Sequence, residues 1–274
     1  MERYGIRCVP LQLFASYLTN SQQNVQMGNT VSSKQTMTCG IPQGSSLGPV
    51  LFLIYVNDLP NCSNALTFRI FADDTNVFAS AHNLKDLEEI VNSELKKVKI
   101  WCDVNRVSIN FTKTNFMIIK SSKQRDDQVN IKIESADGTI DVLQRKQKIK
   151  YLGVLLDETM SFNHHISYIC TRIARNNGII SKLRHYLTLL QMKQICYSLI
   201  YPYISYAIIA WGSAYKTHND KIQAKQNHSA RLIFFATTYG EHTESALPLL
   251  NLLDVLTVHN VLSISDSKIH VPVA

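Results

Sequence analysis

The sequence predicts an α/β protein up to about residue 157 and an all-helical one beyond it. Three patterns carry that prediction. Leu66 to Ser80 alternates and is rich in Phe, Ile and Val around Asp73-Asp74, as a β-hairpin with an Asp-Asp turn does. Leu84, Leu87, Val91, Leu95, Val98 and Trp101 recur at helical spacing. Further on, Ile166, Ile169, Ile173, Ile180, Leu183 and Leu187 keep the same period.

Taken in order, the chain opens with a short helix around Pro10–Leu18 and a strand through Asn24–Gly28. A loop dense in glycine and proline follows, Cys39 to Pro49. It leads into Val50–Val56, a run apolar on every side, and a helix without a polar face is expected to be buried. Ser45 or Ser46 can cap that helix, Pro49 fits its first turn and Pro60 helps to end it. After the Asp73-Asp74 hairpin, Asn83 can cap a helix whose first turns carry Asp86, Glu88 and Glu89. Ser121 to Gly138 is polar and irregular, as exposed loops or an edge hairpin would be. A strand at Tyr151–Leu156 precedes the helical region, where helices are expected across 191–211, 218–236 and 245–262.

The chain has 274 residues, 45% of them hydrophobic and 18% charged, which describes a folded protein with a core. The net charge of +7 is unevenly placed. Residues 1–84 are balanced, whereas residues 145–185 hold eight basic against two acidic side chains, a net +6. Such a concentration suits a polyanion, and a plain solvated basic face would show the same residues. The six cysteines form no C-x-x-C pair and no tight cluster, so neither zinc nor a disulfide framework is expected, and reduced thiols inside the cell fit best. No signal-peptide pattern opens the chain. Ile195 to Trp211 is interrupted by Ser198, Pro202 and Ser205, so a buried helical segment fits better than a membrane span. His164 and His165 point apart on a helix and are assigned no site.

Two adjacent aspartates at a turn are ordinary, because Asp accepts the strain of tight turns. Their flanks change the reading. Phe68, Ile70, Phe71, Ala72, Val77 and Phe78 are expected to bury the strands and pin two carboxylates at a rigid tip. Rigid carboxylates suit hard divalent cations, and two such ions about 3.5–4 Å apart serve nucleotidyl transfer.

Phe71-Ala72-Asp73-Asp74 resembles the catalytic turn of reverse transcriptases. Cys39-Gly40-Ile41-Pro42-Gln43-Gly44-Ser45, Leu47-Gly48-Pro49, Leu51-Phe52 and Asn57-Asp58-Leu59-Pro60 resemble their second palm motif, in the form found in non-LTR (LINE-like) retrotransposons. Tyr4-Gly5-Ile6-Arg7 and Ser16-Tyr17-Leu18 resemble the lead-in to it. Trp101, Asn105, Asn110, Lys113 and Thr114 resemble the next motif, and Tyr151-Leu152-Gly153-Val154 the primer grip. The order and spacing of these motifs cover nearly the whole chain.

The resemblance implies a partial right-hand polymerase palm over 1–157, an antiparallel sheet with packed helices. A helical thumb and C-terminal region would follow over 158–274. It implies an RNA-directed DNA polymerase extending a DNA primer on an RNA template with dNTPs, in the nucleus or cytoplasm and without a membrane anchor. Asp73 would ligate magnesium or manganese, two ions in the intact family site, and Asp74 would support it. Lys113 would protonate pyrophosphate. Gly40 and Gly44 would let backbone approach the new base pair, with Pro42 and Gln43 beside template or incoming nucleotide. Glycines needed only by a turn are the competing reading for Gly48. Tyr151, Leu152 and Gly153 would hold the primer 3′ end, although a core strand would show the same residues. Arg172, Arg175 and Lys182 would track the duplex backbone.

The departures bear on activity. The family's first palm strand, with its own metal-ligating aspartate, lies upstream of Tyr4-Gly5-Ile6-Arg7, where this sequence has only Met1, Glu2 and Arg3. The fingers and the residue that excludes ribonucleotides also lie upstream. Cys8 and Ser21 stand where glycine and a basic residue are expected. The sequence therefore predicts a truncated reading frame with negligible polymerase activity and apolar hairpin edges left exposed. The alternative function is a non-catalytic nucleic-acid-binding relic acting through the basic helices.

Overall fold

The computed structural model describes residues 2–37, 40–41, 44–121, 128–134, 138–234, 250–251, 256–258 and 260–261. Pro42, Gln43 and most of the helix expected at 245–262 lie outside them. The chain forms two compact units, one of residues 1–109 and 129–142, the other of 110–128 and 143–274. The architecture is mixed α/β, with six two-stranded sheets among the described residues and a helical C-terminal region.

In the first unit, helix α1 (Cys8–Leu18) is followed by four two-residue strands. These are β1 (Gln22–Gln23), β2 (Gln26–Met27), β3 (Thr30–Val31) and β4 (Gln35–Thr36), paired β1 with β4 and β2 with β3. The strand expected at 24–28 is thus shorter and belongs to a nested pair. Helix α2 (Gly48–Val56) carries Pro49 in its first turn, but its N-cap is Leu47. Ser45 closes the preceding turn instead, its Oγ accepting the Leu47 N–H over 3.2 Å. The all-round burial expected of this helix is not found. Gly48, Leu51 and Val56 are buried, whereas Val50, Phe52, Leu53 and Tyr55 face solvent, because only one side of the helix is covered.

Strands β5 (Thr67–Phe71) and β6 (Asp74–Phe78) form the expected hairpin. Helix α3 (Leu84–Val104) begins where expected, with Asn83 Oδ1 accepting the Asp86 N–H over 2.8 Å. Leu95 and Val98 are buried as the spacing required, while Leu84, Leu87, Val91 and Trp101 are half-buried and Cys102 takes the last buried position. Glu94 is buried too, because the Ser63 hydroxyl donates to it over 2.6 Å and Lys97 pairs with it over 2.7 Å. These two partners, Lys97 first, hold its carboxyl below the ordinary range. Further along α3, Asn92 donates to the Asn130 carbonyl and accepts from the Lys132 N–H, which fixes one edge of a later hairpin.

The second unit opens with β7 (Asn115–Phe116), and the first unit's later hairpin is β8 (Lys132–Glu134) with β9 (Ile140–Val142). Strand β10 (Gln144–Arg145) pairs in parallel with β7. Then β11 (Lys148–Tyr151) and β12 (Val154–Asp157) form an antiparallel hairpin. A single strand over 151–156 was expected, and Leu152-Gly153 is instead a two-residue turn. Helices α4 (Asn163–Leu183), α5 (Leu189–Leu199), α6 (Tyr201–Ser205), α7 (Ile208–Trp211) and α8 (Lys216–Ile233) complete the unit. The single helix expected over 191–211 is three. Thr188 and Gln191 form a capping box at the start of α5, Pro202 sits in the first turn of α6, and Ala207 is left-handed at φ +51°.

One apolar core joins this unit. Ile166, Ile169, Ile173 and Ile180 of α4 meet Met192 and Cys196 of α5, Ile204, Trp211 and Ile222. Inside it, the Ser229 hydroxyl of α8 donates to Asn177 Oδ1 of α4 over 2.7 Å, both residues being buried. Among the described residues no helix is long and apolar enough to cross a membrane.

Candidate active site and nucleic-acid interface

The ladder of β5 and β6 pairs Phe71 with Asp74, so Ala72 and Asp73 are the turn residues and Asp74 opens the second strand. The expected Asp-Asp turn is shifted by one position. Ala72 is left-handed at φ +51°, a conformation that costs an L residue about 1 kcal/mol and that a tight hairpin turn demands. Both carboxylates are exposed, and neither has a hydrogen bond or ion pair among the described residues. The flanks do not bury as expected. Phe68 is 7% exposed and Ile70 half-buried, but Phe71 is 63% exposed, and Ala72, Val77 and Phe78 also face solvent. Among the described residues the hairpin has no third strand, and Phe68 is covered while Phe71 faces solvent.

Two free carboxylates fit a hard cation in kind, since magnesium is commonly held by one or two carboxylates with phosphate and water completing its shell. No group of three or more His, Cys, Asp or Glu that could hold a metal occurs among the described residues. Gly40 and Gly44 both have φ +81°, which favours glycine, and among the described residues no atom beyond the chain neighbours lies within 4 Å of where a Cβ would stand. Space of that kind is what an approaching ligand needs and what a bare turn allows. Gly48 differs. It is helical, and a Cβ there would meet Ile41 Cδ1 at 2.9 Å.

In the second unit, Lys113 lies in an exposed turn before β7. Asn110 closes that turn, its Oδ1 and backbone carbonyl both accepting the Lys113 N–H. The β11–β12 turn places Leu152 at φ +43° and Gly153 at φ +87°, the two left-handed positions of a type I′ hairpin. Tyr151 is half-buried just before it.

On α4, Arg172, Arg175 and Lys182 follow i, i+3, i+10 spacing, which gathers them within about 80° of the helix circumference. Ile166, Ile169, Ile173 and Ile180 occupy another face and are buried. Arg175 and Lys182 are exposed, and the Arg172 guanidinium lies over the Tyr168 ring, 5.1 Å from its centroid. His164 and His165 do point apart. His164 is exposed, while His165 is buried with Nδ1 accepting the Leu155 N–H over 3.4 Å.

Sequence reasoning missed three residues that shape the β11–β12 hairpin. Asp157 accepts five hydrogen bonds, from Thr159 N–H and hydroxyl, Ser161 N–H and hydroxyl, and Phe162 N–H. Thr159 and Ser161 close after an aspartate at a strand end were the available signal. Tyr206 and His165 reach the hairpin from distant helices, and no local pattern announces them.

Residues 3–156 match the family described as reverse transcriptase (RNA-dependent DNA polymerase). The chain is 28% identical over 258 residues to a probable RNA-directed DNA polymerase from transposon X-element of Drosophila melanogaster, covering 90% of this chain and 28% of that protein. It is 29% identical over 240 residues to the RNA-directed DNA polymerase from mobile element jockey of Drosophila funebris, covering 83% of this chain and 25% of that one. A Pol polyprotein from the type-1 retrotransposable element R1 of Nasonia vitripennis is 30% identical over 147 residues, 53% of this chain and 42% of that protein. The chain thus spans roughly a quarter of the first two relatives. No solved structure matches it. A family match over more than half the chain, in the segment that holds the Asp73-Asp74 hairpin, makes this chain a member of the reverse transcriptase family, related to the polymerases of non-LTR retrotransposons.

Proposed function

We propose that this chain carries the palm region, residues 1–157, and the helical thumb and C-terminal region, residues 158–274, of a retrotransposon RNA-directed DNA polymerase. The observation that carries the reading is the placement of two free carboxylates, Asp73 and Asp74, at the tip of a two-residue hairpin turn. Asp73 is assigned as metal ligand and Asp74 as its supporting carboxylate. Magnesium or manganese, when bound, supplies Lewis-acid stabilisation of the charge that develops on the reacting phosphate. Lys113, exposed and without a side-chain partner among the described residues, is assigned the proton given to pyrophosphate. Gly40 and Gly44 leave room beside the new base pair, and Tyr151, Leu152 and Gly153 hold the primer end. Arg172, Arg175 and Lys182 contact the backbone of the RNA–DNA hybrid.

Primer extension of oligo(dT) on poly(rA) with magnesium and dTTP tests the assignment. Incorporation that falls to background in Asp73→Ala supports it and overturns the negligible activity expected of this chain, and incorporation indifferent to both Asp73→Ala and Asp74→Ala excludes it.

A second reading is favoured by the basic face of α4, which stands apart from the buried isoleucine face of the same helix. On that reading the chain binds nucleic acid without chemistry. Salt-sensitive hybrid binding that charge reversal at Arg172, Arg175 and Lys182 weakens, and to which Asp73→Ala is indifferent, would favour it, and absent or salt-independent binding would exclude it.

A further inference from the structure

We propose that Tyr206 is a positioning residue that holds the Leu152-Gly153 turn in the shape required to grip a primer 3′ end. The role assigned to that turn rests on the polymerase reading above; the contact itself does not.

The turn is a strained element with an unspent acceptor. Leu152 is left-handed at φ +43°, where a branched L side chain is disfavoured. In a two-residue hairpin the closing pair, here Tyr151 and Val154, exchanges the ladder bonds, and the carbonyl of the first turn residue points outside it. Tyr206, 54 positions away, uses that acceptor: its hydroxyl donates to the Leu152 carbonyl over 2.6 Å. The same ring lies against the second turn residue, with Cε1 3.1 Å from where a Gly153 Cβ would stand. One side chain therefore meets both left-handed residues.

Tyr206 is itself anchored. It sits at the break between α6 and α7, and its N–H donates to the Pro202 carbonyl over 3.0 Å. Its own carbonyl accepts from Trp211 Nε1 over 2.9 Å, and Trp211 is fully buried. Trp211 packs edge-on to His165, whose Nδ1 accepts the Leu155 N–H from the second strand of the hairpin. Lys150 and Leu155 form the next pair, which exchanges no ladder bond, so that N–H is free to leave the hairpin. The contacts close a circuit from the turn through Tyr206, Trp211 and His165 back to β12. Tyr206 is 56% exposed, so burial does not account for an aromatic side chain at this position.

The test is Tyr206→Phe in the full chain, which keeps the ring and removes the donor. Two quantities are read beside the melting temperature. One is amide exchange of Val154, and the other is the preference for an RNA–DNA hybrid with a recessed DNA 3′ end over a blunt hybrid of equal length. The expected result is exchange about fivefold faster and a preference about fivefold smaller, with blunt-hybrid affinity and melting temperature unchanged. Unaltered exchange, or an unaltered preference despite faster exchange, overturns the inference while leaving the polymerase reading standing. Absence of any 3′-end preference in the wild-type chain overturns the polymerase reading and the positioning role with it, whatever the exchange shows.

Discussion

The Phe162 N–H donates to Asp157 Oδ2 over 2.9 Å, closing the corner where strand β12 becomes helix α4. Phe162 is the left-handed N-cap of that helix at φ +56°, and its side chain is buried. Asp157 collects four more hydrogen bonds within the same corner, so one carboxylate holds the turn that leads into the helix. Asp157→Ala is expected to destabilise the second unit by about 2–3 kcal/mol, the cost of orphaning one buried and several part-buried donors. Denaturant titration followed by helical circular dichroism measures it, and a loss below 0.5 kcal/mol would sink the account.

The same corner is expected to be acid-sensitive. Burial pushes the Asp157 carboxyl up, but the hydrogen bonds from Ser161 and Thr159 outweigh it and leave the pKa below the ordinary value. Its contribution is therefore complete above the unfolded value of about 3.9 and is lost as pH falls through the lower folded value. Stability measured from pH 5 to pH 2 should fall more steeply in the wild type than in Asp157→Asn. Parallel curves would refute this.

His165 acts in a higher window. Its burial lowers its pKa, and the unfolded chain takes up the proton first. Stability is complete above the unfolded value of about 6.5 and declines as pH falls below it, until the folded histidine also protonates. The His165→Phe variant should lose this slope between pH 7 and pH 5, although leaving the Leu155 N–H unpartnered lowers its stability throughout. A slope that survives the substitution assigns the titration elsewhere.

Reversing the charges of Arg172, Arg175 and Lys182 together is expected to weaken hybrid binding across all sequences. It should also reduce the dependence of log affinity on log salt by about two to three, near one per lost phosphate contact. Filter binding between 50 and 200 mM salt reads both. An unchanged slope would remove these side chains from the interface.

Much of this was legible in local sequence. Period-3.6 spacing marked the buried isoleucines of α4 and the core face of α3, because a helix repeats its burial at that interval. Asn83 announced its cap, since the side chain that satisfies a helix start lies beside it in sequence. The Phe71–Asp74 and Tyr151–Val154 segments carried the family resemblance, and residues 3–156 match the family.

What sequence could not decide was which apolar surfaces find a cover and which distant groups meet. Helix α2 is as apolar as a buried helix, yet Leu53 is 48% exposed, because burial depends on a neighbour that composition does not specify. The run at 191–211 breaks at Ile200 and Tyr206, neither of which is among the polar or proline interruptions that the sequence shows. Tyr206 reads as one more aromatic residue until folding carries it to Leu152. Period and capping are set by atoms a few residues apart, and so the sequence by itself determined them. The clamp on the β11–β12 turn joins groups separated by dozens of residues, and only tertiary packing brings those groups within bonding distance.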